Sequence, residues 1–349
     1  MSRQALLLVD YRGSFWSSLT EGPANRSMSL HLLVRALEAS AYEVSVRSFS
    51  EVVNPTDFKG WLVLYTSIED AGLYYKSFIE DVTLSLEVSG AHLVVPHLLL
   101  RAHHNKAFME LVRRILLPEE RYGPHGRSIG SYEEFDGTDF TLPCVLKPAA
   151  GAGSQGVRLA RSPKSLGRIA RSLSRTPLPL RVRLREVVKR ARWRHYRPQS
   201  SQRGKVVIQS FLSGLDHDIK VLVFGDRYYP LSRKNRPGDF RASGGGRLSF
   251  DLGAELTRVL DYAEEVKNRL PSPFCSLDLA LTPDGARLVE FQCVSFGPYA
   301  MQFADGYYCR SLDGDWVFRS DRSSLECVWV EAALTHFEAG LRGGTPSSN

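Results

Sequence analysis

The 349-residue sequence predicts an α/β protein, and three features of the chain support that prediction. Short apolar runs alternate with amphipathic stretches over the first hundred residues, which favours a parallel sheet covered by helices. Near the middle of the chain, a further apolar run leads directly into a glycine-rich loop. Two apolar runs separated by a short turn near residue 284 indicate a β-hairpin. We therefore expect a parallel α/β region first and α+β lobes after it.

The first 116 residues alternate between strand and helix patterns. The run at 5–10 is short and wholly apolar before its final aspartate, as is typical of a buried parallel strand. Leucine and valine recur at helical spacing in 27–39, where Ser27 is the candidate N-cap. Further strands are predicted at 42–49, 61–65 and 92–95, and further helices at 74–89 and 105–116.

The rest of the chain contains more strands than helices. A strand at 144–147 leads into the glycine-rich loop, and the predicted hairpin joins 275–281 to 286–291. The other predicted strands are 206–211, 219–224 and 228–231, and the other predicted helices are 184–194, 256–270 and 325–341.

Composition excludes several classes of protein. The chain is 43% hydrophobic and 24% charged, which is ordinary for a globular protein and excludes a disordered or collagen-like one. No apolar run approaches the roughly 18 residues of a membrane-spanning helix. The five cysteines are odd in number and form no CxxC pair, so we expect free thiols in a reducing compartment. These observations favour a cytoplasmic protein.

The positive charge is concentrated in one segment. Residues 158–205 contain 16 Lys and Arg but only one acidic residue, Glu186. The segment is interpreted either as a solvated insertion or as a surface for an acidic peptide, an anionic polymer or RNA. Nucleic acid is not favoured, because only Trp193 and Tyr196 are interleaved as stacking aromatics. A membrane-surface helix is not favoured either, because its apolar face is small.

The glycine-rich loop has the character of a phosphate-binding loop. Lys147 ends the predicted strand, and glycines follow at 151, 153 and 156. Glycines let successive backbone N–H groups turn toward a phosphate, and a lysine adds a positive charge. The loop lacks the Gly-Lys-Ser/Thr ending of a P-loop, so a simple tight turn is the alternative.

Acidic residues inside the predicted hairpin suggest a metal site. Asp278 and Glu290 lie within otherwise apolar strands, where a bare carboxylate is costly to bury unless it is paired or binds a metal. Across a hairpin they are expected on one face, together with Gln292. Two carboxylates and an amide oxygen suit Mg²⁺. The alternative is a buried salt bridge to an arginine.

The order of these motifs resembles the ATP-grasp superfamily, and more closely its ribosomal-S6-modification-protein-like amino-acid ligases. The resemblance covers roughly residues 100 to 300, and its motifs occur in the family's order. They are Asn105-Lys106, Lys147 with its glycine loop, the strand 207–211, the stretch from Asp218 to Asp226, the loop 238–241, and Asp278, Glu290 and Gln292. The N-terminal pattern also resembles the family's pre-ATP-grasp domain.

The resemblance implies a domain organisation and a set of nucleotide contacts. It implies a pre-ATP-grasp domain at 1–100, a lid subdomain at 101–211 with a basic insertion at 171–203, and a C-terminal metal-site subdomain at 212–349. Lys106 and Lys147 would contact the phosphates, and Asp218 would close the nucleotide site. The loop would cover the phosphates with Gly153, Ser154, Gln155 and Gly156, while the backbone of Gln209, Ser210 and Phe211 would read the adenine edge.

The resemblance also implies the metal ligands and the catalytic residues. Asp278, Glu290 and Gln292 would hold Mg²⁺, with two ions bridged by Glu290 and Mn²⁺ as an alternative metal. Arg233 and Arg241 would neutralise the anion, and Arg241 with Lys147 would stabilise the transferred phosphoryl group. Two positions depart from the family pattern, since Gln292 stands in place of Asn and Ser210 in place of a frequent Glu.

The activity implied is ATP-dependent joining of a carboxylate to an amine through an acyl phosphate, with release of ADP and phosphate. The substrates would be small molecules or peptides, anionic ones included, and homo-oligomerisation is left open. The alternatives are another ATP-grasp carboxylate activation or phosphotransfer, and a non-catalytic nucleotide-binding protein with a basic partner-binding segment. Ser295 and Tyr299 are weighed as substrate contacts, and His103 and His104 are expected at the surface or as helix caps.

Overall fold

Three β-sheets organise the computed structural model, which describes residues 3–16, 27–68, 70–123, 126–138, 140–151, 156–215, 217–234 and 247–342. The N-terminal sheet is parallel, in the strand order β4-β1-β5-β6. Its inner strand β1 is apolar and buried from Ala5 to Val9, as the sequence predicts. The elements of this region are β1 (Arg3–Val9), β2 (Phe15–Trp16), β3 (Ser27–Met28), α1 (Leu30–Ala39), β4 (Tyr42–Ser48), β5 (Leu62–Tyr65), α2 (Tyr74–Val88), β6 (His92–Leu93) and α3 (His97–Ala102).

The central sheet is antiparallel, in the strand order β7-β10-β8-β9. It has its own small hydrophobic core, in which Leu146 and Ile208 pack beneath Leu166 of α5. The elements of this region are α4 (Lys106–Leu116), β7 (Gly126–Ile129), β8 (Cys144–Pro148), β9 (Arg158–Ala160), α5 (Pro163–Leu173), α6 (Leu180–Arg192) and β10 (Val206–Ser210).

The C-terminal sheet is also antiparallel, in the order β15-β14-β11-β12-β16-β17, with β13 paired to β12. Its core is continuous with that of the N-terminal sheet. The elements of this region are β11 (His217–Phe224), β12 (Arg227–Lys234), β13 (Arg247–Ser249), α7 (Leu256–Arg269), β14 (Phe274–Thr282), β15 (Gly285–Gln292), α8 (Tyr299–Phe303), β16 (Gly306–Arg310), β17 (Trp316–Ser320) and α9 (Leu325–Arg342).

The start of α1 differs from the sequence prediction. Ser29, not Ser27, caps the helix by accepting a hydrogen bond from the Leu32 N–H. Ser27 lies in β3, where its hydroxyl bonds the backbone of Phe15. The helix therefore begins later than predicted, because β3 uses the first residues of the apolar pattern.

The last helix, α9, packs against elements of the N-terminal region. Glu326 of α9 accepts a hydrogen bond from the Ser29 N–H at 2.8 Å, and the ring of Trp329 meets that of Phe15 edge to face at 5.3 Å. Within the part of the chain that the structure describes, no helix has the length and apolar character needed to cross a membrane.

Candidate functional site

A row of polar side chains crosses the open face of the C-terminal sheet. Asp278 of β14 is paired with Glu290 of β15 on one side and with Lys220 of β11 on the other. Asp218 of β11 is paired with Arg233 of β12. Because side chains alternate between the two faces of a sheet, these five residues share one face, opposite the apolar face that packs into the core.

A β-bulge places the acidic pair on that face. Leu279 pairs with Leu288, yet the next pair along the hairpin is Asp278 with Glu290, so Val289 is an extra, unpaired residue. Leu288 and Phe291 both face the core, although they are three positions apart. Without the bulge, strict alternation would put Glu290 on the core face beside Leu288. Bulges commonly re-aim side chains next to active sites in this way.

Asp278 is held by two cations. Lys220 Nζ lies 2.7 Å from its Oδ1, and the Arg233 guanidinium lies 3.1 Å from the same atom. Burial by itself would raise the pKa of Asp278, but attraction to Lys220 and Arg233 and hydrogen bonds from both lower it well below its usual range. The carboxylate is therefore ionised at neutral pH, as a metal ligand must be.

Arg233 joins two carboxylates. Its Nε and Nη2 each donate a hydrogen bond of 2.6 Å to Asp218, in a bidentate arrangement. Burial raises the pKa of Asp218 despite these bonds. Burial would lower the pKa of Arg233, but Asp278 and Asp218 raise it, so the arginine stays charged.

Two lysines of the central region meet this row from the other side. Lys106, at the start of α4, reaches both the Gly151 carbonyl at 2.6 Å and Glu290 Oε1 at 3.2 Å. Lys147, on β8, is buried, and burial lowers its pKa while Glu290 and Glu110 act in the opposite direction. The two lysines therefore bring positive charge to the glycine-rich loop and to Glu290 together.

The strand predicted to bind adenine is anchored by a buried network. The side chain of Gln209 donates a hydrogen bond of 2.6 Å to Glu110 of α4, which also lies 3.4 Å from Arg113. Arg113 in turn donates to the carbonyl of Val289, the bulged residue, at 2.9 Å. One chain of contacts thus joins the predicted hinge strand to the predicted metal strand.

The structure brings most of the predicted site residues together. Lys106 contacts Glu290 directly, Lys147 lies within its electrostatic reach, and Asp278 lies opposite Glu290 with Gln292 two residues along on the same face. In the hinge, Ser210 is exposed, and the N–H of Phe211 donates to the Pro143 carbonyl at 3.3 Å. Gly156 has a positive φ of 74° at the end of the loop. Gly153, Ser154, Gln155 and Arg241 lie outside the described residues.

The oxygen atoms on this face of the sheet are of the kind that bind a magnesium ion. Asp278 and Glu290 supply partly exposed carboxylates on adjacent strands, and the neighbouring position of Gln292 supplies an amide oxygen. The described residues contain no cluster of three or more His, Cys, Asp or Glu side chains close enough to hold a metal. Gln292 stays the predicted third ligand, as an amide oxygen beside the two carboxylates.

The sequence reasoning missed several residues of the site. Lys220 had a detectable signal, because it lies two positions from Asp218 in an apolar strand and so on the same face. Glu110 and Arg113 had none, since a helix pattern does not show which polar residue faces a strand. Ser295 was weighed as a substrate contact. Its hydroxyl accepts a hydrogen bond from the Ser67 N–H and donates one to the Ser67 carbonyl.

The expectation for His103 and His104 is met in part: both side chains are buried and not at the surface, but His103 is the C-cap residue of α3. Their rings meet edge to face with centroids 4.3 Å apart, and His104 has a positive φ of 53°. Burial lowers the pKa of His103 well below its ordinary value.

Comparisons with known proteins give the name of the fold. No family model and no curated protein sequence matches the chain. Among solved structures, D-alanine–D-alanine ligase from Bacillus anthracis in complex with ATP is 14% identical, covers 98% of this chain and 100% of its own, and has a TM-score of 0.53. A RimK domain ATP-grasp protein from Sphaerobacter thermophilus is 15% identical, with coverages of 95% and 99% and a TM-score of 0.50.

A third solved structure agrees with these two. The ADP complex of PurK, an N5-carboxyaminoimidazole ribonucleotide synthetase, is 13% identical, with coverages of 87% and 73% and a TM-score of 0.50. At such identities the likeness concerns the fold, and it confirms the fold class predicted from the sequence. The chain has the ATP-grasp fold.

Proposed function

We propose that the protein is an ATP-dependent carboxylate–amine ligase. The observation that carries the proposal is that Lys106 contacts both Gly151, where the glycine-rich sequence begins, and Glu290, which lies opposite Asp278 on the polar face of the C-terminal sheet. This arrangement places cations for phosphate groups beside carboxylates suited to a divalent ion. Two of the structurally similar proteins are solved with ATP or ADP, which supports nucleotide use at this site.

In the proposed reaction, ATP activates a carboxylate that would otherwise be unreactive. A carboxylate does not react with an amine at neutral pH, because its carbon is shielded by negative charge and lacks a good leaving group. In the first step a carboxylate oxygen attacks the γ-phosphorus of ATP, and ADP leaves. In the second step the amine attacks the acyl-phosphate carbonyl, loses a proton and expels phosphate, which leaves an amide bond.

The protein's part in this reaction is positioning and charge neutralisation. Lys106 and Lys147 hold the phosphates, and we assign stabilisation of the transferred phosphoryl group to Lys147 and Arg241. Arg233 keeps the Asp278 carboxylate ionised and oriented by its contact at 3.1 Å. Mg²⁺, when bound by Asp278, Glu290 and Gln292, supplies further positive charge at the phosphates. The adenine edge is assigned to the hinge at Gln209, Ser210 and Phe211, where the Phe211 N–H would exchange its bond to the Pro143 carbonyl for one to the base.

The test is ADP release by the purified protein with Mg²⁺ and ATP, across pooled carboxylates, amino acids and short peptides. The expected result is ADP release that needs a carboxylate and an amine together, with a product of their summed mass less water. Release with a carboxylate alone, or transfer of phosphate to another group, would instead place the chain among other ATP-grasp activities. Failure to bind ATP at all would overturn the proposal.

Glu290→Gln is the matched variant for the site. It keeps the size of the side chain but removes the charge that faces Lys106 and the metal, so we expect turnover to fall by at least about a hundredfold. Glu38→Gln, at an exposed position of α1, makes the same chemical change away from the site and should leave turnover unchanged. Equal activity of the two variants would contradict the assignment of Glu290.

A further inference from the structure

The basic segment forms an arm, residues 177–200, that is closed at its base. The Thr176 N–H donates to the Ser201 carbonyl at 2.8 Å, and the Gly204 N–H donates to the Ser174 carbonyl at 2.8 Å. The Arg203 N–H also donates to the Thr176 hydroxyl at 3.0 Å. The chain therefore leaves the central region and returns to it at one point, where the Ser200 hydroxyl also donates to Glu133 at 2.6 Å, and the arm projects from there.

The arm is held together by its single acidic residue. Glu186 of α6 accepts hydrogen bonds of 2.7 Å from the Tyr196 hydroxyl and from the Gln199 N–H, so the returning chain lies along the helix. Hydrogen bonding to Gln199 and Tyr196 lowers the pKa of Glu186. The carboxylate of Glu186 is thus used inside the arm and does not offset the charge of its surface.

An apolar stripe on α6 faces solvent. Leu180, Leu184, Val187 and Val188 lie on one helical face by their spacing, and they are 71%, 59%, 63% and 64% exposed. The side chains of α6 that are not exposed, Val182, Glu186 and Lys189, occupy the opposite face. An amphipathic helix of a globular protein ordinarily turns its apolar stripe toward the core, whereas this stripe has no partner among the residues that the structure describes.

Arginines border the stripe on both sides. At about 100° per residue, Arg181, Arg185 and Arg192 fall along one edge of the stripe, and Arg183 and Arg190 fall along the other. Of these five, none forms an ion pair within the described part of the chain. A partner that covers the stripe must therefore bring apolar side chains flanked by negative charge on both sides.

Three occupants fit this surface poorly. A second copy of the arm would set arginines against arginines. Nucleic acid would leave the stripe uncovered, and the arm offers only Trp193 and Tyr196 as stacking aromatics. A bilayer is bound mainly through Trp, Phe and Leu, whereas this stripe is short and half valine.

We propose that the arm binds an acidic amphipathic helix of another polypeptide, with aliphatic side chains against the stripe and Asp or Glu along both edges. Two helices joined in this way bury an apolar seam flanked by opposite charges, as at the core and edge positions of a coiled coil. The apolar seam gives affinity, and the flanking charges give orientation and partner choice. The proposal is independent of the ligase activity, because no residue of the arm belongs to the nucleotide site.

The test uses a synthetic helical peptide with leucines at the a and d positions of its heptads and glutamates at the others. Binding to the full-length protein is measured by calorimetry or fluorescence anisotropy at several salt concentrations. We expect an affinity in about the micromolar range that weakens as salt rises. A scrambled peptide of identical composition should bind at least about tenfold more weakly, because it presents no apolar seam.

Two variants separate the seam from the charge. Leu184→Ser with Val188→Ser should weaken peptide binding about tenfold by removing apolar area, without any change of charge. Arg183→Glu with Arg185→Glu should weaken it at least as much. Arg161→Glu with Arg168→Glu makes the same charge change at exposed positions of the basic segment outside the arm, and should change binding less than about threefold.

Replacing residues 177–200 by a short Gly-Ser linker gives an independent check, because Thr176 and Ser201 are already neighbours. This variant should keep its thermal unfolding and its ATP binding and should lose the peptide. Equal binding of the scrambled peptide would overturn the proposal. So would arm-dependent binding of RNA or of phosphatidylglycerol vesicles with no binding of the helical peptide.

Discussion

Replacing Glu110 with alanine should strongly destabilise the fold. Glu110 and Arg113 of α4 are only 4% and 5% exposed, and their side chains lie 3.4 Å apart. Glu110 also accepts the hydrogen bond from Gln209 at 2.6 Å. In the variant, the guanidinium of Arg113 stays buried with no acidic partner, and the amide of Gln209 loses its acceptor.

The magnitude follows from the cost of an uncompensated buried charge. Breaking a buried ion pair by removing one partner costs about 3–5 kcal/mol of unfolding free energy. Arg113 has little compensation, since its Nε and Nη1 already lack hydrogen-bond partners among the described residues. Replacing both residues with apolar ones, as Glu110→Leu with Arg113→Met, removes the buried charge. The double variant should therefore be more stable than Glu110→Ala. The gain is reduced by the loss of the hydrogen bond from Arg113 to the Val289 carbonyl.

Urea unfolding at neutral pH, followed by circular dichroism and tryptophan fluorescence, measures these differences. Glu38→Ala provides the control, because Glu38 is exposed on α1 and its loss should change stability by less than about 0.5 kcal/mol. If Glu110→Ala cost less than about 1 kcal/mol, the buried network would not hold α4 against β10. The same conclusion would follow if the double variant were no more stable than Glu110→Ala.

Three further predictions concern the nucleotide site, a glycine and a histidine. Lys147→Met should weaken ATP binding at least about tenfold without loss of stability, because it removes a buried charge. Nucleotide titration measures the affinity, and Lys164→Met, at an exposed position, is the control. Unchanged affinity of the Lys147 variant would show that Lys147 does not contact the nucleotide. Gly306→Ala should lower the free energy of unfolding by about 2 kcal/mol or more, because the new Cβ would lie 2.1 Å from the Arg319 carbonyl oxygen. Gly340→Ala in α9 should raise it slightly, because its Cβ would meet no atom of the described residues within 4 Å and alanine favours a helix. The urea midpoints of the two variants test both expectations. Because burial holds the pKa of His103 well below its ordinary value of about 6.5, the unfolded chain takes up a proton that the folded chain refuses. Stability is therefore full above about pH 6.5 and falls below it by up to about 1.4 kcal/mol per pH unit, and His103→Gln should flatten this slope; an unchanged slope would contradict the prediction.

The sequence predicted the elements whose patterns are local. The run Ala5 to Leu8 is apolar throughout, as is typical of a strand buried on both faces. The hairpin turned where predicted, with Thr282 paired to Gly285. The two-stranded pair that displaced the cap from Ser27 was not predictable, because strands of two residues carry no periodic signal.

The sequence did not predict which side of the amphipathic helix α6 faces the protein and which faces solvent. The apolar residues of α6 have the spacing of a helix that packs on a core, and nothing in the spacing tells the two sides apart. The side turned to the returning chain is the one that carries Glu186, because its carboxylate finds the Tyr196 hydroxyl and the Gln199 N–H there. A single buried acid therefore decides that the leucines and valines face solvent.

The acidic pair shows how a correct prediction can rest on an incomplete reason. From the turn at Thr282 and Gly285, regular alternation would pair Asp278 with Val289 and turn Glu290 toward the core. The bulge at Val289 reverses the alternation for the rest of β15, and Arg113 stabilises it by bonding the freed carbonyl at 2.9 Å. Since Arg113 is itself held by Glu110, the buried network of α4 fixes the strand register that places Glu290 opposite Asp278. The stability of that network and the geometry of the proposed nucleotide site therefore depend on the same contacts.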